Sequence, residues 1–135
     1  MHRTLCASLL LIASATAVEA QAWKEIGKIA TGAMVSVNPK SVKRLKDNLV
    51  TASVRVVFAE PMNTPAGMRA STSMTATFDC AKKTFAVKEV VNYSDPKSKK
   101  VLDRQVNKMP GYGVALDGSF AALAMNYLCS APARK

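Results

Sequence analysis

From Val50 to Phe58 the chain alternates. Val50, Ala52, Val54, Val56 and Phe58 put apolar side chains at every second position, while Thr51, Ser53 and Arg55 occupy most of the positions between. A period of two belongs to a β-strand with one buried face. The same pattern returns at Ala70, Thr72, Met74, Ala76 and Phe78, with Ser71, Ser73, Thr75, Thr77 and Asp79 on the opposite face. Cys80 shares the parity of Phe78, so its sulfur is expected to point into the core. Between these strands, Glu60-Pro61-Met62-Asn63-Thr64-Pro65-Ala66-Gly67 supplies turn residues for a long hairpin loop. Residues Thr84 to Tyr93 are rich in β-branched and aromatic side chains and predict a third strand, ending at Ser94-Asp95-Pro96.

Weaker elements flank these three. Ala22 to Ala30 and Ala33 to Val37, separated by Thr31-Gly32, predict an opening hairpin. Asn38-Pro39-Lys40-Ser41 then starts a short helical turn carrying Val42 and Leu45, with Pro39 suited to its first position. Lys99 to Val106 reads as an exposed, basic edge strand. Pro110, Gly111 and Gly113 argue for loop from Lys108 to Gly118, and Gly111-Tyr112-Gly113 reads as a turn. A helix closes the chain. Ser119 or Asp117 caps it, and Phe120, Leu123, Ala124, Tyr127 and Leu128 form its apolar face. Continued helically, Cys129 falls about 160° from the middle of that face at 100° per residue. Either the helix loosens by Leu128, or its Ala121-Met125-Cys129 side is buried too. The pattern predicts an α+β fold: an antiparallel sheet of about six strands packed by a C-terminal helix. Trp23 is expected to lid the core near the chain start, and Met62, Met68, Met74, Met109 and Met125 to supply adaptable packing.

The first residues carry an address. Met1, His2 and Arg3 precede an uncharged apolar run from Leu5 to Ala17, and small residues permit cleavage after Ala20 or Ala22. The run is shorter than the roughly 20 residues a spanning helix needs, and no later stretch is long enough. Residues 1–20 are therefore read as a signal peptide, 23–130 as one domain and 131–135 as a short basic tail. The expected location is periplasmic, cell-surface or secreted. The leader takes one basic and one acidic residue, Arg3 and Glu19, so the net charge stays at +10.

Export also gives meaning to the cysteines. Cys6 leaves with the leader, and an even pair, Cys80 and Cys129, remains in an oxidising compartment. The simplest reading is a disulfide stapling the C-terminal helix to the sheet. The sole histidine, His2, leaves as well. Its loss removes Ser-His-Asp and Cys-His catalysis, HExxH zinc sites and histidine ligation of haem. The acidic residues are scattered, with no close cluster for calcium or magnesium. The expectation is a protein that is not an enzyme, with no catalytic residues, metal or cofactor.

Several segments resemble the surface-adhesin protein E family of small exported Gram-negative proteins. They are Ala22-Trp23 after the leader, Val35-Ser36-Val37-Asn38-Pro39-Lys40-Ser41-Val42, Phe78-Asp79-Cys80 after an alternating strand, Val90-Val91-Asn92-Tyr93-Ser94, and Asp117-Gly118-Ser119-Phe120 through Leu128-Cys129. The resemblance covers nearly all of the mature chain. It implies a six-stranded antiparallel sheet with a C-terminal helix and cross-linked cysteines, the layout the pattern itself predicts. It also implies adhesion to host matrix and plasma proteins, with haem binding as an associated property.

Charge points the same way. Lys82, Lys83, Lys88, Lys97, Lys99, Lys100, Arg104 and Lys108 crowd one segment against Glu89, Asp95 and Asp103, and Lys40, Lys43, Arg44 and Lys46 form a second cluster. The first eight are the candidate polyanion-binding residues; the alternative is a solvated surface that keeps the protein soluble. Partners would be acidic protein or glycan surfaces of host matrix or cell envelope. Nucleic acid is not expected, since the chain is exported and lacks a stacking platform. A homodimer stays open. The alternative functions are a periplasmic small-ligand carrier, for haem as an example, with a pocket between sheet and helix, and a structural envelope protein without a dedicated ligand.

Overall fold

The computed structural model describes residues 23–130. The proposed signal peptide and the basic tail lie outside the described residues. Strands β1 (Lys24–Lys28), β2 (Met34–Val37), β4 (Leu49–Thr64), β5 (Gly67–Asp79), β6 (Thr84–Tyr93) and β7 (Val101–Val106) form one antiparallel sheet in the order β1-β2-β4-β5-β6-β7. Two short strands complete it: β3 (Lys43–Arg44) pairs with β4, and β8 (Gly113–Val114) with β6. Helix α1 (Phe120–Ser130) packs on one face.

Alternation decides which face. Val50↔Phe78, Ala52↔Ala76 and Val54↔Met74 are cross-strand partners in β4 and β5, and all six are buried. Val35 and Val37 extend this surface from β2, and Phe85, Val87 and Val90 from β6. Against it α1 buries Ala121, Ala124, Met125 and Leu128. The helix thus continues through Cys129, and its Ala121–Met125 side is buried as well. Ser119 is the cap: its Oγ accepts from the Ala122 amide at 3.3 Å. Phe120 meets Phe85 edge-on, and Phe85 stacks on Phe78, with centroids 5.9 and 6.1 Å apart. At the far end Arg44 Nη2 donates to the Leu128 carbonyl at 3.0 Å, placing a cation where the helix dipole is negative. Gly27 sits at a β1 bulge with φ +152°, where an added Cβ would lie 3.3 Å from Leu123 Cδ2. That close approach lets the helix rest on β1.

Three sequence expectations change. The Glu60–Gly67 stretch is strand, not loop. Four residues, Phe58 to Pro61, bulge opposite Ala70, after which Met62↔Arg69 and Thr64↔Gly67 pair again. The turn is only Pro65-Ala66, braced by Thr64 Oγ1 donating to the Gly67 carbonyl at 2.6 Å. The short helical turn ends at Ser41, as a single 3₁₀ turn over Pro39–Ser41, with Asn38 Oδ1 accepting from the Lys40 amide. Asp47 and Asn48 both take φ +61°, and that two-residue left-handed turn folds β3 back onto β4. Leu45 is therefore exposed rather than carried on a helix. Of the methionines, Met74 and Met125 pack in the core, while Met62, Met68 and Met109 are exposed.

Cys80 and Cys129 are joined as a disulfide, with Cα atoms 5.6 Å apart. The bond ties the last turn of α1 to the end of β5. Closing a loop across 49 residues contributes about 4 kcal/mol by the chain-entropy relation. Cys80→Ser or Cys129→Ser should lower Tm markedly and raise hydrogen exchange first in the α1 amides. Unchanged Tm and unchanged exchange in both variants would show that packing alone holds the helix.

Candidate functional site

Among the described residues, the opposite face of the sheet carries no helix. One row of cross-strand partners crosses it: Glu25 on β1, Ser36 on β2, Arg55 on β4, Ser73 on β5, Val91 on β6 and Arg104 on β7. A neighbouring row adds Ser53, Thr75 and Glu89. These are the intervening residues of the alternating strands, so the pattern that builds the core also assembles this surface.

A groove of about 410 Å³ lies on it, lined among others by Trp23, Arg55, Ser73, Tyr93, Lys97 and Arg104. Trp23 is not a core lid. Its ring lies beneath the Arg55 guanidinium, 4.9 Å from centroid to Cζ, so a cation–π contact fixes the arginine at one end. Arg55 Nε is buried without a hydrogen-bond partner among the described residues. Burial pushes its pKa down, and Glu25 opposes that shift. Beside it in the row, Ser36 is fully buried and its Oγ is likewise unpaired among the described residues. At the other end Arg104 Nε reaches Glu89 Oε1 at 3.5 Å, a pair open to solvent and therefore weak. Among the described residues, Glu89 is the only carboxylate lining the groove.

The β6–β7 loop forms one wall. Ser71 Oγ donates to the Asp95 carbonyl at 2.6 Å and lies 2.9 Å from Ser98 Oγ, which pulls the loop onto the open face. Asp95 Oδ1 accepts from the Lys99 and Lys100 amides at 2.9 and 2.8 Å. These bonds hold the loop so that Lys97 and Lys99 line the groove. Tyr93 Oη lies 3.2 Å from Ser73 Oγ, joining the wall to the floor.

The eight candidate basic residues fall into three places. Lys97, Lys99 and Arg104 border the groove, and Lys100 belongs to the same loop. Lys88 sits at a β6 bulge, where its carbonyl accepts from the Asn107 amide at 2.8 Å, next to Lys108. Lys82 and Lys83 occupy the β5–β6 turn, whose Asp79 Oδ1 accepts from the Ala81 and Lys82 amides. The ten residues of β6 separate that turn from the β6–β7 loop by about 30 Å. In the second cluster, Lys43 and Arg44 lie on β3. Sequence reasoning missed Arg55 and Trp23, which stand outside the charge run. The signal was an arginine among the Ser and Thr of β4's polar positions, outside the lysine-rich run; Arg69 on β5 is the other arginine of that strand pair. The sheet–helix interface is filled by Phe78, Leu128, Val35 and Val54, all at most 1% exposed, so the groove lies away from where a carrier pocket was expected.

The model of the surface-adhesin protein E family matches residues 23–130. The chain belongs to that family. Its fold is similar to crystal form II of Haemophilus influenzae protein E, with TM-score 0.58 and 11% identity over 80% of this chain and 87% of that one. Protein E from non-typeable Haemophilus influenzae is similar at TM-score 0.55 and 12% identity, over 85% of this chain and 79% of that one. No curated protein matches the sequence. Membership in a surface-adhesin family implies export, and among the described residues no helix is long and apolar enough to cross a membrane.

The loop wall yields a pH prediction. Hydrogen bonding from the Lys100 amide, aided by the Lys99 amide and the Lys100 charge, holds the Asp95 carboxyl below its ordinary 3.8. In the unfolded chain Asp95 takes up its proton first, so the loop's support is present above about pH 4 and fades as pH falls through the lowered value. Asp95→Ala should speed amide exchange at Lys99 and Lys100 at neutral pH while leaving Tm nearly unchanged. Exchange rates equal to the parent's would show that Ser71 alone holds the loop.

Proposed function

We propose that the protein is an exported, non-enzymatic binding domain that mediates adhesion or envelope interaction by attracting polyanions to the open face of its sheet. The observation supporting this reading is convergence. Arg55, Arg104, Lys97 and Lys99 come from two strands and a loop, yet they line one groove opposed, among the described residues, by a single carboxylate. Positive charge concentrated in a concavity draws anionic partners and speeds their association. The family, named for surface adhesins, supports the same class of activity. Lysines supply diffuse attraction, and the two arginines supply directional contacts to carboxylate, sulfate or phosphate. Lys88, Lys108, Lys82 and Lys83 add to the overall field rather than to the groove.

Binding to heparin-like glycans or acidic matrix proteins is expected to weaken steeply as salt rises, because exposed charges are screened beyond about 8 Å at physiological ionic strength. Lys97→Glu/Lys99→Glu/Lys100→Glu should abolish retention on a heparin column with Tm nearly unchanged. Lys82→Glu/Lys83→Glu, the same kind of change about 30 Å away, should shift elution only modestly. Equal effects of the two variants would assign binding to net charge rather than to the open face.

A further inference from the structure

We propose that the Arg55 end of the groove is a subsite for the carboxylate of an acidic sugar, so that the ligand engaged there is a short uronate-bearing oligosaccharide. The inference rests on the polyanion reading above and sharpens it. It begins with the state of Arg55. A guanidinium stacked on Trp23 has already lost most of its rotamer freedom, so little further ordering is needed when an anion arrives. Its Nε is buried and unpaired among the described residues. An unpaired buried donor is costly, and a planar carboxylate offers two acceptors in the geometry of the guanidinium fork. Glu25, the acid that acts on Arg55, stands two strands away across Ser36 in the same row.

The floor decides between glycan and peptide. Strands β4, β5 and β6 are paired on both sides, so their backbone amides and carbonyls are committed to the sheet. A peptide lying across them finds no edge to extend by strand addition, the source of main-chain affinity in that mode. The floor offers hydroxyls instead: Ser53, Ser73, Thr75 and Tyr93. Its apolar lining is sparse, with Val91 the aliphatic side chain set in the Arg55 row, so the floor gives no series of pockets for peptide anchors. Dense hydroxyls, an aromatic ring and a fixed cation suit a ligand that is itself hydroxyl-rich and carries a carboxylate. A volume of about 410 Å³ lies within the ordinary range of small-ligand clefts, about 300–1,000 Å³. Arg55 and Arg104 lie three strand spacings apart, roughly 14 Å between backbones, so a second acid on the same chain can reach the Arg104 end.

The test uses the purified mature protein and an unsulfated tetrasaccharide of alternating uronic acid and N-acetylhexosamine, followed by calorimetry and amide chemical shifts. Saturable binding is expected, with shifts at Arg55, Ser73 and Tyr93. The carboxyl-reduced tetrasaccharide should bind roughly tenfold more weakly or worse, and Arg55→Lys, which keeps the charge but loses the fork, should cost the uronate ligand about the same factor. Ser73→Ala, which leaves the Trp23–Arg55 contact intact, should weaken binding several-fold and guards against misfolding of the Arg55 variant. Equal affinity for the carboxyl-reduced sugar, or full affinity in Arg55→Lys, overturns the proposal. So does a hexaglutamate peptide binding as tightly as the uronate. Heparin retention that stays sensitive to the Lys97/Lys99/Lys100 charge reversal, with no tetrasaccharide binding, rejects the subsite while the polyanion reading stands.

Discussion

One helix has to seal a whole sheet face, and everything else in the molecule follows from that constraint. An 11-residue helix is short for this task. It succeeds because its contact line is narrow, with Ala121 and Ala124 letting the helix approach closely while Met125 and Leu128 fill the space beside them. Gly27 lowers the sheet edge beneath Leu123, Arg44 holds the Leu128 carbonyl, and the disulfide fastens the end to β5. With one α-helix among the described residues, the second face stays uncovered by them, and the side chains there must tolerate water. Hydroxyls and arginines meet that demand.

The two faces are therefore one fact seen from two sides. Parity puts Val54 inward and Arg55 outward, Met74 inward and Ser73 outward, Val90 inward and Val91 outward. Polar residues on the outward side are held in place by the rigid ladder beneath them. The β6–β7 loop departs from the ladder, and Ser71 and Asp95 bring it back.

Alternation made much of this legible. The long strands and the capped helix follow from period-two and period-3.6 patterns, and the cysteine pair from export and an even thiol count. Two local features were hidden because turn chemistry competes with periodicity. Pro65-Ala66 closes the β4–β5 hairpin only because a four-residue bulge at Phe58–Pro61 resets the register. Asp47-Asn48 reverses the chain through left-handed backbone, overriding the helical start at Pro39. The groove was hidden for another reason. A linear charge run marks residues close in sequence, whereas Arg55 and Arg104 come to line one groove only through strand order, and Trp23 joins Arg55 from the chain start. Conversely, Lys82 and Lys83 sit near Lys97 in the sequence but at the other end of a strand.

The doubly paired floor strands have a consequence for how such proteins diverge. Every backbone group of β4, β5 and β6 in the ladder is committed to the scaffold, so the open face is specified by side chains alone. Substitutions at Ser53, Arg55, Ser73, Thr75 or Val91 can rewrite that surface without breaking a single ladder bond or disturbing the opposite face. Scaffold and outward surface can then change separately. A lineage built this way can exchange its outward side chains and keep its shape; the fold itself persists at 11% identity to Haemophilus influenzae protein E.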